Sequence, residues 1–338
     1  MKKIGVLIVN LGTPDSTASS DIRKYLRQFL LDKRVIDIAR WQRELLVRCI
    51  ITPFRASKSG ASYKEIWDVK TGSPLKHYSL LACQKLQETL GANFIVKLAM
   101  RYQNPSIENA LKQVMDQGCE ELIVLPMFPH YASATTGSVH EEVMRVLSRW
   151  QTIPSTKWIT DYYNHPLFID SIMARAMEFN VNDYDHILFS YHGLPQRQIK
   201  KADRSKRHCL QKKDCCETLC AENRFCYSAQ CYETSRLLNE RLKLSKEKST
   251  TCFQSGLGND PWLQPFIINV LEELANKGVK KVLAFSPAFT ADCLETIYEI
   301  AIDYNNYFKK MGGEKIQLVP SLNDSDTWIS CMASLIRA

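Results

Sequence analysis

Near-continuous apolar runs recur along the 338 residues, at 4–10, 94–102, 122–128, 157–160, 186–192, 251–255 and 281–286, with a weaker one at 315–320. Runs this short that do not alternate read as parallel strands covered on both faces. Amphipathic stretches at 79–90, 106–117, 140–150, 166–178, 229–242 and 265–277 separate them. Strand–helix alternation predicts an α/β protein with parallel sheets. The rhythm occurs once in the first 150 residues and again from about 155, so two doubly wound domains are expected. Their bounds are 1–153 and 154–320. A last helix within 321–338 is expected to pack back on the first domain. The region 22–67 is different: Tyr25, Leu26, Phe29, Leu30, Trp41, Leu45 and Ile50 are interleaved with Arg and Lys. It fits a helical excursion packed on its own domain, or an apolar lip over a large flat ligand or an anionic membrane surface.

Charge and cysteine are both local. The formal net charge is +8, and the window 195–215 holds eight Lys/Arg against two Asp, a local +6. Such a loop suits nucleic acid or anionic lipid, although a plainly solvated loop is the commoner case. Six of the twelve cysteines (Cys209, Cys215, Cys216, Cys220, Cys226 and Cys231) fall within 23 residues. The first apolar run is too short for a signal peptide, and no run reaches the roughly 18 residues of a membrane span. That points to a cytoplasmic protein, attached to a membrane at most by its surface, and favours metal or redox chemistry over a disulfide framework. The cysteine spacing contains no C-x-x-C pair and matches neither a zinc ribbon nor a plant-type ferredoxin.

Nucleotide fingerprints are absent. Asn10-Leu11-Gly12-Thr13-Pro14 lacks the G-x-G-x-x-G pattern, no P-loop occurs, and in His140-Glu141-Glu142-Val143-Met144 a methionine stands where a zincin has its second histidine. Two features carry chemistry. His192 ends the run 186–192, and ligands of open α/β sheets bind at the carboxyl ends of strands. Glu295, Glu299 and Asp303 follow the run 281–286 at a four-residue spacing. At about 100° per residue they share one helix face. Alone, that ladder is an acidic surface stripe or a path for a cation. Beside a strand-end imidazole it suits proton transfer or a borderline metal such as iron.

The segments FSYHGLPQR at 189–197, FQSGLGNDPWLQP at 253–265 and AFTADCLETIYEI at 288–300 resemble the signature segments of the ferrochelatase family. The resemblance continues through VNLGTP at 9–14, TGSPL at 71–75, MRYQNPSIENAL at 100–111, PHYASATTGS at 129–138 and NHPLFI at 164–169. It implies the type II chelatase fold, with two similar domains on four-stranded parallel sheets and a porphyrin cleft. It also implies insertion of Fe(II) into protoporphyrin IX, the last step of haem formation, with release of two protons. By motif, His192 and Glu295 take the catalytic positions, and Glu299 and Asp303 continue an acidic line for substrate iron along a wide-turned helix. Leu11, Arg101, Tyr102, Trp262, Phe289 and Asp292 match porphyrin-pocket or supporting positions. Cys293 departs from the pattern, standing where some relatives carry a second histidine.

The stretch 203–231 resembles an insertion relative to simpler bacterial members. By resemblance, four of its six cysteines would hold a two-iron two-sulfur cluster; structural zinc, or thiols free or disulfide-linked, are the alternatives. Cys49, Cys83, Cys119, Cys252 and Cys331 are expected to be small buried hydrophobes. Rival functions are iron insertion into coproporphyrin, another tetrapyrrole chelatase, and a cysteine-cluster nucleic-acid sensor. The last leaves His192 and the carboxylate ladder unexplained, so no nucleic-acid partner is expected. Oligomeric state is not legible.

Overall fold

In chain order the computed structural model runs β1 Lys3–Gly12, α1 Ser19–Leu30, α2 Arg40–Leu45, a π-helix Leu46–Ile51, α3 Thr52–Ile66, α4 Pro74–Leu90, β2 Phe94–Tyr102, α5 Ile107–Met115, β3 Cys119–Pro126, α6 Ser138–Leu147 and β4 Ser155–Trp158. It continues with α7 Pro166–Ala176, β5 His186–His192, α8 Gln196–Ala202, α9 Tyr227–Leu242, β6 Ser249–Gln254, α10 Ile267–Asn276, β7 Lys281–Phe285, a π-helix Leu294–Tyr304, α11 Asn305–Lys310, β8 Lys315–Leu318 and α12 Asp326–Arg337. The described residues are 3–256 and 260–338, so positions 257–259 of the FQSGLGNDPWLQP segment lie outside them.

The chain divides into two units. The first holds the residues up to Phe128, Ala132–Thr160 and Asn323–Ala338; the second holds Pro129–Tyr131 and Asp161–Leu322. Each has one four-stranded, all-parallel sheet, ordered β2-β1-β3-β4 in the first and β6-β5-β7-β8 in the second. The expected α/β class and paired parallel sheets are therefore present.

The central strands explain why the pattern was readable. Val6 to Val9 of β1 and Ile187 to Phe189 of β5 have no exposed surface. Their apolar side chains face helices on both sides of the sheet, which is why the runs do not alternate. In the first unit Leu7, Val9, Leu122 and Val124 meet Leu111 and Val114 of α5 and Val139, Val143 and Val146 of α6. In the second, Leu188, Val282 and Ala284 meet Ile267 and Leu271 of α10, and also Ile300, Tyr304 and Phe308. Those last three follow a four-residue spacing, the same spacing as the carboxylate ladder. In the first unit α12 lies on α4, and Lys85 of α4 pairs with Asp324 and Asp326 at 3.1 and 3.2 Å.

One expectation about the cysteines needs correction. Cys119, Cys252 and Cys331 are buried and Cys83 is partly so, but Cys49 is exposed. It lies on the π-helix 46–51, where Val47 is the only buried residue, so its small size is not used for packing.

Candidate active site

The strand order of the second unit reverses between β5 and β7, and the crevice outside such a switch point is where open α/β sheets bind ligands. His192 is the last residue of β5, and the acidic helix 294–304 follows β7, the strand next to it. The two features singled out by sequence thus flank one crevice of one sheet.

His192 is half-buried, and its Nδ1 lies 2.6 Å from the Gly193 carbonyl. A carbonyl only accepts, so Nδ1 carries a proton, and Nε2 is the nitrogen left to hold the lone pair of the neutral tautomer. The turn after His192 is tightly built. A Cβ on Gly193 would stand 3.0 Å from the Ser255 carbonyl oxygen and 3.1 Å from that of Gln254. Tyr227 donates its hydroxyl to the His192 carbonyl at 2.9 Å, and Leu263 N–H bonds the Leu194 carbonyl at 3.0 Å. This last bond and the Pro195–Trp262 bridge bring Trp262 alongside, with its ring centroid 6.4 Å from that of His192.

The ladder lies on the wide-turned helix that the resemblance implies. Leu294–Tyr304 is a π-helix, so the turn is wider than the 3.6 residues used to place the carboxylates on one face. The four-residue repeat nevertheless survives: Thr296, Ile300 and Tyr304 are buried, and each is preceded by one carboxylate. Glu295 and Glu299 are half-buried and Asp303 is exposed, so the acidic line grades outward.

Two residues not anticipated as site members tie His192's neighbourhood to this helix. Gln254, opposite His192 in the β5–β6 register, has no exposed surface. Its Oε1 accepts from the Ser190 hydroxyl at 2.7 Å, and its Nε2 donates to the Glu295 carbonyl at 2.8 Å and to Glu299 Oε2 at 3.1 Å. The Ser255 hydroxyl donates to Glu299 Oε2 at 2.6 Å. These donors take up the Glu299 charge and so relieve the repulsion along the ladder. The signal in the sequence was a Gln–Ser pair closing an apolar run.

Gln254→Leu tests this bracket. It removes one hydrogen bond each from the Ser190 hydroxyl, the Glu295 carbonyl and the Glu299 carboxylate. A cost of about 1–3 kcal/mol in denaturant unfolding is expected, with turnover down by about tenfold to a hundredfold as Glu295 shifts. Unchanged turnover in Gln254→Leu contradicts the positioning role.

Asp292 is buried beneath the ladder, where its Oδ1 accepts from the Thr296 hydroxyl at 3.1 Å and from Ser321 N–H at 3.2 Å. It supports the start of the helix. Burial, reinforced by the charge of Glu295, pushes the Cys293 thiol far above its ordinary value. It therefore stays a thiol and helps cap the helix with Thr296. Phe289 is half-buried in the turn after β7, its N–H on the Ser286 carbonyl at 3.0 Å.

The remaining pocket candidates lie in the first unit. Leu11 is half-buried at the end of β1, its N–H bonded to Asn10 Oδ1 at 2.8 Å. Arg101 Nη2 reaches Asp32 Oδ2 at 2.7 Å, and Arg101 Nε reaches Ser138 Oγ at 2.7 Å. The Tyr102 and Ser138 hydroxyls donate to the same Asp32 oxygen at 2.9 and 2.5 Å. Tyr102 has no exposed surface, so it works through this network and does not itself face a ligand.

The cysteine loop sorts its six thiols. Cys215 and Cys216 sulfurs are 3.7 Å apart, Cys216 is hydrogen-bonded to Cys226, and Cys226 to Cys209. The bond to Cys209, with burial, pushes Cys226 up to about 12. Four contiguous thiols fit the donor set of a two-iron two-sulfur cluster. Cys220 lies apart, beside His208, and Cys231 is buried on α9 against Tyr227.

A profile of the Ferrochelatase family matches residues 3–338. A ferrochelatase from Legionella pneumophila (strain Lens) is 42% identical over 341 residues, covering 98% of each chain. One from Coxiella burnetii (strain Dugway 5J108-111) is 42% identical over 337 residues, covering 99% of this chain and 93% of its own. Among solved structures, SirB from Bacillus subtilis with Fe3+ superposes with a TM-score of 0.52 at 12% identity, over 99% of this chain and 94% of that one. CbiX, the terminal enzyme of sirohaem biosynthesis in denitrifying bacteria, gives 0.50 at 11% identity, over 98% of each chain. At such identities these two establish a shared chelatase fold. The full-length family match and the 42% identity go further, and the chain belongs to the ferrochelatase family.

Proposed function

We propose that the chain inserts ferrous iron into protoporphyrin IX and that His192 Nε2 accepts the pyrrole protons. The observation that carries this is the Nδ1–H bond to the Gly193 carbonyl, which leaves the lone pair on Nε2. A flat porphyrin points its nitrogen lone pairs into the ring plane. Metalation needs a bent ring, and strain of about 1–5 kcal/mol drawn from remote contacts is a suitable scale. Within the second unit Trp262 and Phe289 supply apolar contacts for that purpose. Two N–H protons leave as iron enters. Glu295 relays them from His192, and Glu299 and Asp303 lead outward toward solvent or bring iron in, in keeping with their rising exposure. Parallel turnover assays with protoporphyrin IX and coproporphyrin III test the substrate. Preference for protoporphyrin by at least tenfold in kcat/KM is expected, and the reverse preference overturns the assignment.

Cys209, Cys215, Cys216 and Cys226 would hold a two-iron two-sulfur cluster, which supplies one-electron redox capacity when bound. Protein purified without oxygen should then be coloured and carry iron and sulfide; colourless, iron-free protein contradicts it. The lip supports a peripheral membrane site on the cytoplasmic face. Trp41, Leu45, Ile50 and Phe54 are exposed, at 69, 55, 54 and 80%. Arg40, Arg48, Arg55 and Lys58 are exposed beside them, the pattern of a surface that lies on anionic lipid. Among the described residues no helix is long and apolar enough to cross a membrane. Co-flotation with anionic but not neutral liposomes is expected, and loss of flotation in Trp41→Ser/Phe54→Ser checks the surface.

A further inference from the structure

The cysteine loop contains a second donor set, which the four contiguous thiols leave out. His208, Cys220 and Glu222 bring an imidazole nitrogen, a thiol and a carboxylate oxygen within 4.8 Å of one another. Cys220 Sγ lies 3.7 Å from His208 Nε2. Metal–nitrogen and metal–sulfur bonds of about 2.0 and 2.3 Å at a tetrahedral centre place such donors about 3.5 Å apart. A shift of a few tenths of an ångström closes the difference.

Two of the three donors, His208 and Cys220, are held in place by buried side chains, with no ion needed to gather them. Asp203 Oδ2 accepts the N–H groups of His208 and Cys209, both at 2.9 Å, while its Oδ1 accepts from the Ser205 N–H and hydroxyl. Asn223, with no exposed surface, accepts the Cys220 N–H at 2.8 Å and donates to the carbonyls of Cys215 and Thr218 at 2.7 and 2.9 Å. His208 is itself buried. Its Nδ1 has no hydrogen-bond partner and is free to carry the ring proton, so that Nε2, which lies 3.3 Å from the Cys215 carbonyl, gives up that contact and turns its lone pair to a cation. Arg204, Lys206, Arg207, Lys212 and Lys213 are exposed around the loop. Their charge opposes a loosely attracted cation, so affinity here has to come from coordination.

We propose that His208, Cys220 and Glu222 bind one borderline divalent cation of the zinc class, distinct from the four-thiol set, with a fourth position open to water. One thiolate, one imidazole and one carboxylate with an open position make a donor set that suits such an ion. Binding forms the metal–sulfur bond and releases the Cys220 proton to solvent. The site does not depend on which porphyrin is the substrate.

Cobalt(II) is the probe, titrated into full-length protein whose four-thiol set is broken by Cys226→Ser. One cobalt per chain with a thiolate-to-cobalt charge-transfer band is expected. Adding Cys220→Ser should abolish the band and weaken cobalt binding at least tenfold. Adding Glu222→Gln, at an exposed position outside the packed core, should weaken binding at least tenfold and keep the band. In otherwise unaltered protein, Cys220→Ser and Glu222→Gln should leave iron and sulfide content at wild-type levels. Absence of the band from the Cys226→Ser protein, its survival in the Cys220→Ser combination, or unchanged affinity with Glu222→Gln overturns the proposal. Loss of iron and sulfide in Cys220→Ser also overturns it, by making Cys220 a ligand of the cluster.

Discussion

His192→Ala is expected to lower kcat for iron insertion by about a hundredfold to ten-thousandfold, the usual contribution of one positioned proton acceptor. Porphyrin binding, read by fluorescence quenching, should change by no more than a few-fold, because Trp262 and Phe289 keep their places. The separation follows from how the ring is held. Its Nδ1–H is satisfied by the adjacent Gly193 carbonyl, so the alanine variant leaves no buried donor stranded. The neighbouring backbone is anchored independently by the Gly193 N–H to Gln254 carbonyl bond at 2.7 Å and by Tyr227. A loss confined to kcat therefore reports chemistry. Near-normal insertion by His192→Ala contradicts a proton-accepting or a metal-handling role alike.

Asp32→Ala is expected to be the most destabilising single change in the first unit, by about 3–5 kcal/mol in denaturant unfolding. Its carboxylate gathers Arg101, Tyr102 and Ser138 at side-chain exposures of 6% for Asp32 and 16% for Arg101. Removing it leaves a largely buried guanidinium without a counter-charge. Burial by itself would raise the Asp32 carboxyl, but hydrogen bonds from Ser138 and the Arg34 N–H, with the Arg101 charge, outweigh it and hold the group below its ordinary value. The sign follows. This stabilisation is complete above the unfolded aspartate value of about 3.9 and fades as pH falls through the lower folded value. The wild-type advantage over Asp32→Ala should accordingly be constant from pH 5 to 8 and shrink below pH 4. An advantage that is unchanged at pH 3 contradicts the account.

The strands were legible because burial on both faces erases alternation. The run 186–192 coincides with β5, and 4–10 lies inside β1. The wide turn of 294–304 was not legible from the residue pattern, since apolar and acidic residues at a four-residue repeat read equally well on an α-helix. Its importance came from the resemblance and from the strand end beside it. Gln254 and Ser255 were passed over because a polar pair at the end of a strand carries no signal until the partner helix is in view. Cysteine spacing could not choose four thiols from six. Asp203 and Asn223 fold the loop through contacts no spacing rule contains, and these contacts bear on which of the thiols adjoin. His208 escaped notice because only its cysteine neighbours formed a pattern.

The most direct measurement is the protonation state of the His192 ring in the resting enzyme, by nitrogen-15 NMR of histidine-labelled protein, with His192 assigned by its absence from His192→Ala. The account predicts that the neutral ring is the tautomer protonated on Nδ1 and bare on Nε2. A neutral ring carrying its proton on Nε2 would contradict it, because the lone pair would then face the Gly193 carbonyl and could not accept a porphyrin proton.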